Sequence, residues 1–433
     1  MSSNLLVFNC GSSSLTYRVY EAGDGGELSP LAAGKAHHVG TVTQERAYLS
    51  HSMGGETVKD VRPLPEGLAP LPEGLAPLPE GLAPLPEGLA PLPSHRDAAA
   101  AVLEYLRRSG LRIDAIGHRF VTDGGRFPHA VAITDATLPE VEACNRLAPL
   151  HNPTSMSVIY LCRAELPDVL QYAVFDTAFH ATMPEVAWRY ALPLELADRF
   201  GYRKFGAHGL SYQYVTGEVS RVLRRPIEDL KIIACHLGTG GSSVAAIDGG
   251  RSVETSMGFT PLPGLVMSTR SGDVDPAVVL SLIREHGYTP EAVDRLLNRE
   301  SGLIGVSGAS SDLLELVRLA EENGDRRAEL AVAMYIHRLK LYIGAYAAVL
   351  GGFDALAFTD SIGVAGWQVR ERACASLGWC GVILDGEANR RAPAGAAAIV
   401  SAAGSRVTVM SIPTDEEIMI ARAGVGLLGA PAA

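Results

Sequence analysis

An apolar run, a short loop of glycine and serine, and a second apolar run follow one another twice in this chain, and that echo constrains its fold more than any other feature. The chain opens with LLVFNC, then GSSS, then LTYRVY; near its middle come IIAC, HLGTGGSS and VAAI. Two hairpins of one pattern point to two related domains facing a common cleft. Turns of this kind expose backbone N–H groups, and glycine lets a phosphate approach them closely. One GSSS alone would be only a turn; two, each after an apolar strand, suggest phosphate-binding loops.

The remainder alternates between strand-like and helix-like runs. Ser94 to Ser109 reads as a helix with Ala98, Val102, Leu103 and Leu106 on one face, and Leu111 to Val121 reads as a strand. Further strands are expected at Tyr172–Asp176, Ile232–Cys235, Ala355–Thr359 and Val407–Ile412, with a long helix over Arg326–Leu350. Thr414 is placed to cap a closing helix through Asp415 and Glu416. Such alternation is α/β in class, and 433 residues suffice for two domains.

One segment stands apart. From Pro63 to Ala90 the heptapeptide PLPEGLA occurs four times in tandem, followed by Pro91, Leu92 and Pro93. A period of seven suggests a coiled coil, but two prolines in every repeat exclude a helix. The segment reads as an extended or disordered surface insertion, either a tolerated replication slip or a docking segment for a proline-reading partner.

The formal net charge of −11 disfavours a nucleic-acid binder, which would show a basic face. Six cysteines at 10, 144, 162, 235, 374 and 380 form no C-x-x-C pair, so reduced thiols in a cytoplasmic protein are expected. The N-terminal run is too short for a signal peptide or a membrane span, and no membrane partner is expected.

Phosphoryl transfer needs phosphate-cradling loops, a metal, positive charge on the transferring oxygens and an aligned acceptor. Arg119 in GHRFV and Arg270 in STRSGDVDP could clamp a carboxylate and a phosphoryl group. Asp176 follows an apolar strand, His180 and His208 are near enough in sequence to serve one site, and Glu416 lies at a helix start. Each has a plainer reading: a surface ion pair for an arginine, a satisfied structural group for a histidine, a helix cap for Asp176, a dipole partner for Glu416.

Taken together, the strings decide between these readings. NCGSSSL, GHRFV, APLHNP, VFDTAFHATMPE, FGAHGLSYQYV, the long block from CHLGTGGSS to DVDPAVV, and PTDEEIMIA resemble the acetate kinase family in order and over nearly the whole chain. The resemblance implies an α/β fold of two duplicated domains of the actin and sugar-kinase (ribonuclease H-like) type, with the active site in the interdomain cleft. Residues 1–176 plus 417–433 would form the first domain, carrying the insertion at 63–93, and 177–416 the nucleotide-side domain. It implies direct, reversible in-line transfer between ATP and acetate with magnesium, or alternatively manganese, in a homodimer.

Carried over by position, the resemblance gives Asn9 and Glu416 to the metal. Arg119 and Arg270 hold the carboxylate and the transferring group, Asp176 is the catalytic acid and His208 stabilises the transition state. Val121, Leu150 and Pro261 wall the acyl pocket. Ser12, Ser14, Thr16, His236, Leu237, Gly238, Thr239, Gly240, Asp312, Asp360, Ser361, Ile362 and Gly363 fall on the nucleotide and phosphate positions.

Departures from the family pattern cluster on the nucleotide side. Thr16 stands for a lysine, Thr239 for an asparagine, Leu314 for an arginine, Asp360 for a glycine and Tyr212 for a histidine, and one residue is added around Asp123. Three readings stay open: ATP and ADP bind through compensating contacts; the donor is pyrophosphate or another phosphate carrier; or the chain is an inactive relative with a binding or regulatory role. The acceptor, acetate against propionate or butyrate, stays open as well.

Overall fold

The computed structural model describes residues 2–11, 14–23, 25–37, 39, 47–61, 94–148 and 152–429. The proline-rich repeat at 63–93 and two expected site residues, Ser12 and Leu150, lie outside them. Two compact units divide the chain: Met1–Ala178 with Glu416–Ala433, and Phe179–Asp415.

The first unit is built on strands β1 (Ser3–Cys10), β2 (Ser14–Ala22), β3 (Leu28–His37), β4 (Tyr48–Met53), β5 (Glu56–Val61), β6 (Ala115–Phe120), β7 (Val131–Ala132) and β8 (Leu170–Phe175). Among the described residues they form one sheet in the order β5-β4-β3-β2-β1-β6-β8-β7. The opening hairpin pairs antiparallel, with Asn9 opposite Thr16, while β6 joins β1 in parallel and β8 joins β6 in parallel. Parallel joins need crossovers, and the helices His95–Arg108 and Asn152–Glu165 lie in those connections. Ser94 caps the first of them by accepting the Asp97 amide.

In the second unit the strands are β9 (Lys231–Leu237), β10 (Ser242–Asp248), β11 (Arg251–Thr255), β12 (Ala355–Thr359), β13 (Ala398–Ile399) and β14 (Thr408–Ile412), in the order β11-β10-β9-β12-β14-β13. The echo read in the sequence is a topological one. In each unit an antiparallel hairpin is extended by two parallel strands and closed by a two-residue antiparallel edge. The helix Arg326–Leu350 has the expected bounds: Asp325 caps its start, Gly351 ends it at φ 67°, and Val332, Tyr335, Leu339 and Ile343 carry its buried stripe.

Two expectations are corrected. The strand read over Leu111–Val121 spans only Ala115–Phe120; just before it Asp114 meets Asn4 twice, its Oδ2 accepting the Asn4 amide at 2.8 Å and its own amide donating to the Asn4 carbonyl at 2.9 Å. Thr414 does not cap the last helix, which begins at Glu416; its buried hydroxyl makes no hydrogen bond among the described residues.

Candidate active-site groups of the two units

In the first unit the ends of three neighbouring parallel strands and the start of the last helix bring four expected residues together. Asn9 and Arg119 are the next-to-last residues of β1 and β6, Asp176 follows β8 and Glu416 opens the helix Glu416–Leu428. Arg119 meets Asp176 as a fork, Nη2 donating to Oδ2 at 2.6 Å and Nε to Oδ1 at 3.3 Å. Its Nη1 donates to Asn9 Oδ1 at 3.0 Å, and its Nε lies 3.6 Å from a Glu416 oxygen. Asn9 Nδ2 in turn donates to Glu416 Oε2 at 3.1 Å and Glu417 Oε1 at 3.0 Å. Burial pulls the Arg119 guanidinium down, but Asp176, Glu416 and Glu417 outweigh it and hold its pKa above the ordinary value. It stays charged throughout.

Supporting groups that the sequence reading missed surround this cluster. Ser155 Oγ donates to the Arg119 carbonyl at 2.7 Å. Fully buried Asn152 accepts the Val121 amide at 3.2 Å and donates to the carbonyls of Thr122 and Cys144, fixing the loop that carries Val121. Asp123 is buried and accepts from Thr177 Oγ1 at 2.6 Å, the Gly125 amide at 3.0 Å and the Phe127 amide at 2.5 Å. Thr177 follows Asp176, so Asp123 ties the Arg119 loop to the aspartate turn. Ser14 accepts the Gly11 amide at the hairpin mouth, and Thr16 lies between Asn9 and Lys35 on one rung of the sheet.

The second unit gathers the other set around the turn between β9 and β10. Arg270 and His208 converge there: the position a Cβ would take on Gly241 lies 3.3 Å from Arg270 Nη1 and 3.5 Å from His208 Nε2. Arg270 has no carboxylate among its hydrogen-bond partners in the described residues; Nη1 donates to the Pro261 carbonyl at 3.3 Å and approaches Met267 Sδ. Burial, together with Arg299 nearby, pulls its pKa below the ordinary value. A buried guanidinium so placed favours an incoming anion.

His208 holds a left-handed backbone at φ 60°. Its Nδ1 is 2.8 Å from Ser243 Oγ, which is 2.5 Å from Tyr212 Oη. Tyr212 is fully buried, and burial raises its phenol far beyond any physiological pH, so it keeps its proton. If the phenol donates to Ser243 and Ser243 to Nδ1, a neutral His208 carries its proton on Nε2, the nitrogen that faces Gly241.

His236, at the end of β9, stacks on His208 with ring centroids 4.0 Å apart. Its Nδ1 is 2.8 Å from Ser211 Oγ and its Nε2 is 3.2 Å from Asp360 Oδ2. The turn itself differs from an open nest. Gly238 and Gly241 bond each other's carbonyls at 3.1 and 3.3 Å, and the Thr239 amide donates to Ser361 Oγ at 3.3 Å. The amides of Gly238, Thr239 and Gly241 are therefore engaged within the protein rather than left open as in a nest.

Other expected positions are placed as follows. The Leu237 side chain is buried in the core, as is Ile362. Asp312 caps the helix Leu313–Asn323 by accepting the Leu314 and Glu315 amides, and Leu314 packs against the core. The Gly363 carbonyl accepts from Arg370, a buried arginine whose fork also takes the Val364 carbonyl and Asn389. His180 is a structural group: Nε2 donates to the Ala207 carbonyl at 2.9 Å, Nδ1 meets Ser252 Oγ at 2.7 Å, and burial lowers its pKa to about 4.

The acetokinase family profile matches residues 87–422. The chain is 42% identical to the acetate kinase of Thermoanaerobacterium thermosaccharolyticum, covering 96% of this chain and 97% of that one. It is 40% identical to the acetate kinase of Bacillus subtilis, with 97% and 98% covered. Among solved structures, the acetate kinase of Porphyromonas gingivalis superposes with a TM-score of 0.82 at 37% identity, covering 98% of this chain and all of that one. A propionate kinase from Francisella tularensis gives 0.82 at 32% identity, with 97% and 98% covered. No helix among the described residues is long and apolar enough to cross a membrane. With two units of one topology, each carrying its own set of charged groups at the strand ends, the chain belongs to the acetokinase family.

Proposed function

We propose that this protein is an acetate kinase, transferring a phosphoryl group reversibly between ATP and acetate to give acetyl phosphate and ADP. The observation that carries the reading is the Arg119–Asp176 fork bound to Asn9 and next to Glu416, in a chain about as similar to named acetate kinases as those comparisons give.

In the forward direction an acetate oxygen attacks the terminal phosphorus. The new O–P bond forms as the bond to the ADP oxygen breaks, and that electron pair leaves on ADP. Acetate is ionised at pH 7, so no proton need be removed from it. Asp176, held by Arg119, aligns the acceptor rather than acting as a strong base. Arg270 and the Nε2–H of His208 meet the charge that spreads over the equatorial oxygens.

The family implies magnesium. Asn9 and Glu416 carry hard oxygen donors and are neighbours: Asn9 Nδ2 donates to Glu416 Oε2, while Asn9 Oδ1 accepts from Arg119 Nη1. Magnesium is commonly held by one or two carboxylates plus substrate phosphates, and there it would neutralise phosphate charge. Asn9 and Glu416 would hold it.

Val121 and Pro261 are proposed for the acyl side, where one methylene more or less is worth only about 1–3 kcal/mol; propionate is the runner-up acceptor, in keeping with the Francisella relative. Pyrophosphate is the runner-up donor, a reading kept open by the departures at Thr16, Thr239, Leu314 and Asp360. The reading includes a cytoplasmic homodimer. Six buried free thiols agree with the cytoplasm, and exposed Val186, Leu194, Phe200 and Val278 of the second unit offer apolar surface to a second copy.

The test is acetyl phosphate formation by pure protein with magnesium and acetate, trapped with hydroxylamine while the donor is varied. Product with ATP supports the reading. Product only with pyrophosphate replaces the donor, and no product with any donor removes the activity.

A further inference from the structure

The turn between β9 and β10 is electrostatically two-sided. On its Gly241 side stand Arg270 Nη1 and His208 Nε2. On its Gly238 side stands a carboxylate: the place a Cβ would occupy on Gly238 is filled by Asp360 Oδ2. Asp360 follows β12, whose last residue, Thr359, lies in register with His236. Its backbone is left-handed at φ 64°, a conformation that glycine adopts freely and that aspartate tolerates. His236 Nε2 and the carboxylate lie 3.2 Å apart, which pins the charge at the turn.

His236 is held from two sides: its ring stacks at 4.0 Å on His208, and its Nδ1 lies 2.8 Å from Ser211 Oγ. A carboxylate is ordinarily an anion at neutral pH, and the Asp360 side chain is about one-third exposed (34%), open to an approaching ligand.

We propose that Asp360 is a donor-selectivity residue of this chain. Resting on the reading that the Gly241 side receives the transferring phosphoryl group, the rest of a polyphosphate donor would extend past Gly238 and meet the Asp360 carboxylate. Like charges at such a distance weaken binding. Nucleoside triphosphate is thus held less tightly than the arginine and histidine alone would allow.

The experiment compares wild type with Asp360→Asn, which removes charge at constant size, and Asp360→Gly, which also suits the backbone angle. Binding of magnesium-ATP is measured by titration calorimetry, separately from turnover in the hydroxylamine assay. The dissociation constant for magnesium-ATP is expected to fall about tenfold in both variants, with the KM for acetate unchanged. An unchanged or weaker affinity in both overturns the inference, and so does a gain in Asp360→Gly alone, which would assign the effect to bulk. Failure of wild type to transfer from any donor would instead remove the kinase reading, while the calorimetric comparison would still decide what Asp360 does to polyphosphate binding.

Discussion

Arg119 and Asp176 are joined by two hydrogen bonds, at 2.6 and 3.3 Å, although 57 residues separate them in the chain. β6 and β8 make the pair adjacent: they run parallel, with Arg119 opposite Val174 and Phe120 opposite Phe175, so both side chains leave the same edge of the sheet. The aspartate is almost wholly buried and the arginine largely so.

Replacing Arg119 with alanine should lower kcat/KM about a hundredfold to a thousandfold, the usual effect of losing one preorganised charge on the reacting group. It should also cost about 3–5 kcal/mol of stability, because Asp176 loses its guanidinium. Lysine restores charge but not the fork, so Arg119→Lys should recover little activity. Steady-state rates and urea melts check both; activity of Arg119→Ala within threefold of wild type would contradict the placement.

Two buried histidines set an acid limit on stability. Burial lowers the pKa of both His118 and His180 from 6.5 to about 4. Between those values the unfolded chain binds a proton at each that the folded chain does not. Their contribution is therefore complete above about pH 6.5 and is lost as pH falls towards 4. Each should steepen the fall of unfolding free energy by about 1.4 kcal/mol per pH unit in that window. Urea melts from pH 7 to pH 4.5, compared with His118→Gln and His180→Gln, should show the slope flattening in each variant. An equal slope in the variants would mean that neither histidine carries the effect.

The Tyr212–Ser243–His208 chain predicts a graded result. Ser243→Ala removes the hydroxyl that meets His208 Nδ1 and frees the imidazole to place its proton on either nitrogen. Turnover should fall about tenfold, one hydrogen bond's worth of orientation, with the KM for acetate little changed. Tyr212→Phe keeps Ser243 and should fall less. Nitrogen-15 shifts of His208 report the tautomer directly, and an unaltered tautomer in Ser243→Ala would refute the relay.

Arg370 is buried, and burial pulls its pKa down to about 10. Its fork holds the carbonyls of Gly363 at 2.7 Å and Val364 at 2.6 Å, with Asn389 Oδ1 at 2.7 Å. Arg370→Met should leave those acceptors unpaired at about 1–3 kcal/mol each and loosen the helix Asp360–Ala365. A lower melting temperature together with a raised KM for ATP is expected. Loss of stability with donor KM unchanged would separate Arg370 from the donor side.

Much of this architecture was legible in local patterns. The helix Arg326–Leu350 and the strand Ala355–Thr359 follow from periodicity and from Asp325 and Gly351 at the helix ends, all of which act within a turn or two. The repeated hairpin was visible as well, because its loops are short and its strands consecutive. Asn9, Arg119, Asp176 and Glu416 could be singled out by their strings, but not their mutual bonds. Glu417, Asn152 and Ser155 carried no signal, since each acts on a group far away in sequence.

The sequence by itself determined the α/β alternation, the duplication and the identity of the charged residues, because those depend on neighbours a few positions apart. Only the tertiary structure decided that Arg119 is matched by carboxylates while Arg270 bonds to none among the described residues, that Tyr212 and His208 meet on Ser243, and that Asp360 faces Gly238. Those relations are set by strand order and register, which bring residues tens or hundreds of positions apart within the short distance at which a hydrogen bond forms.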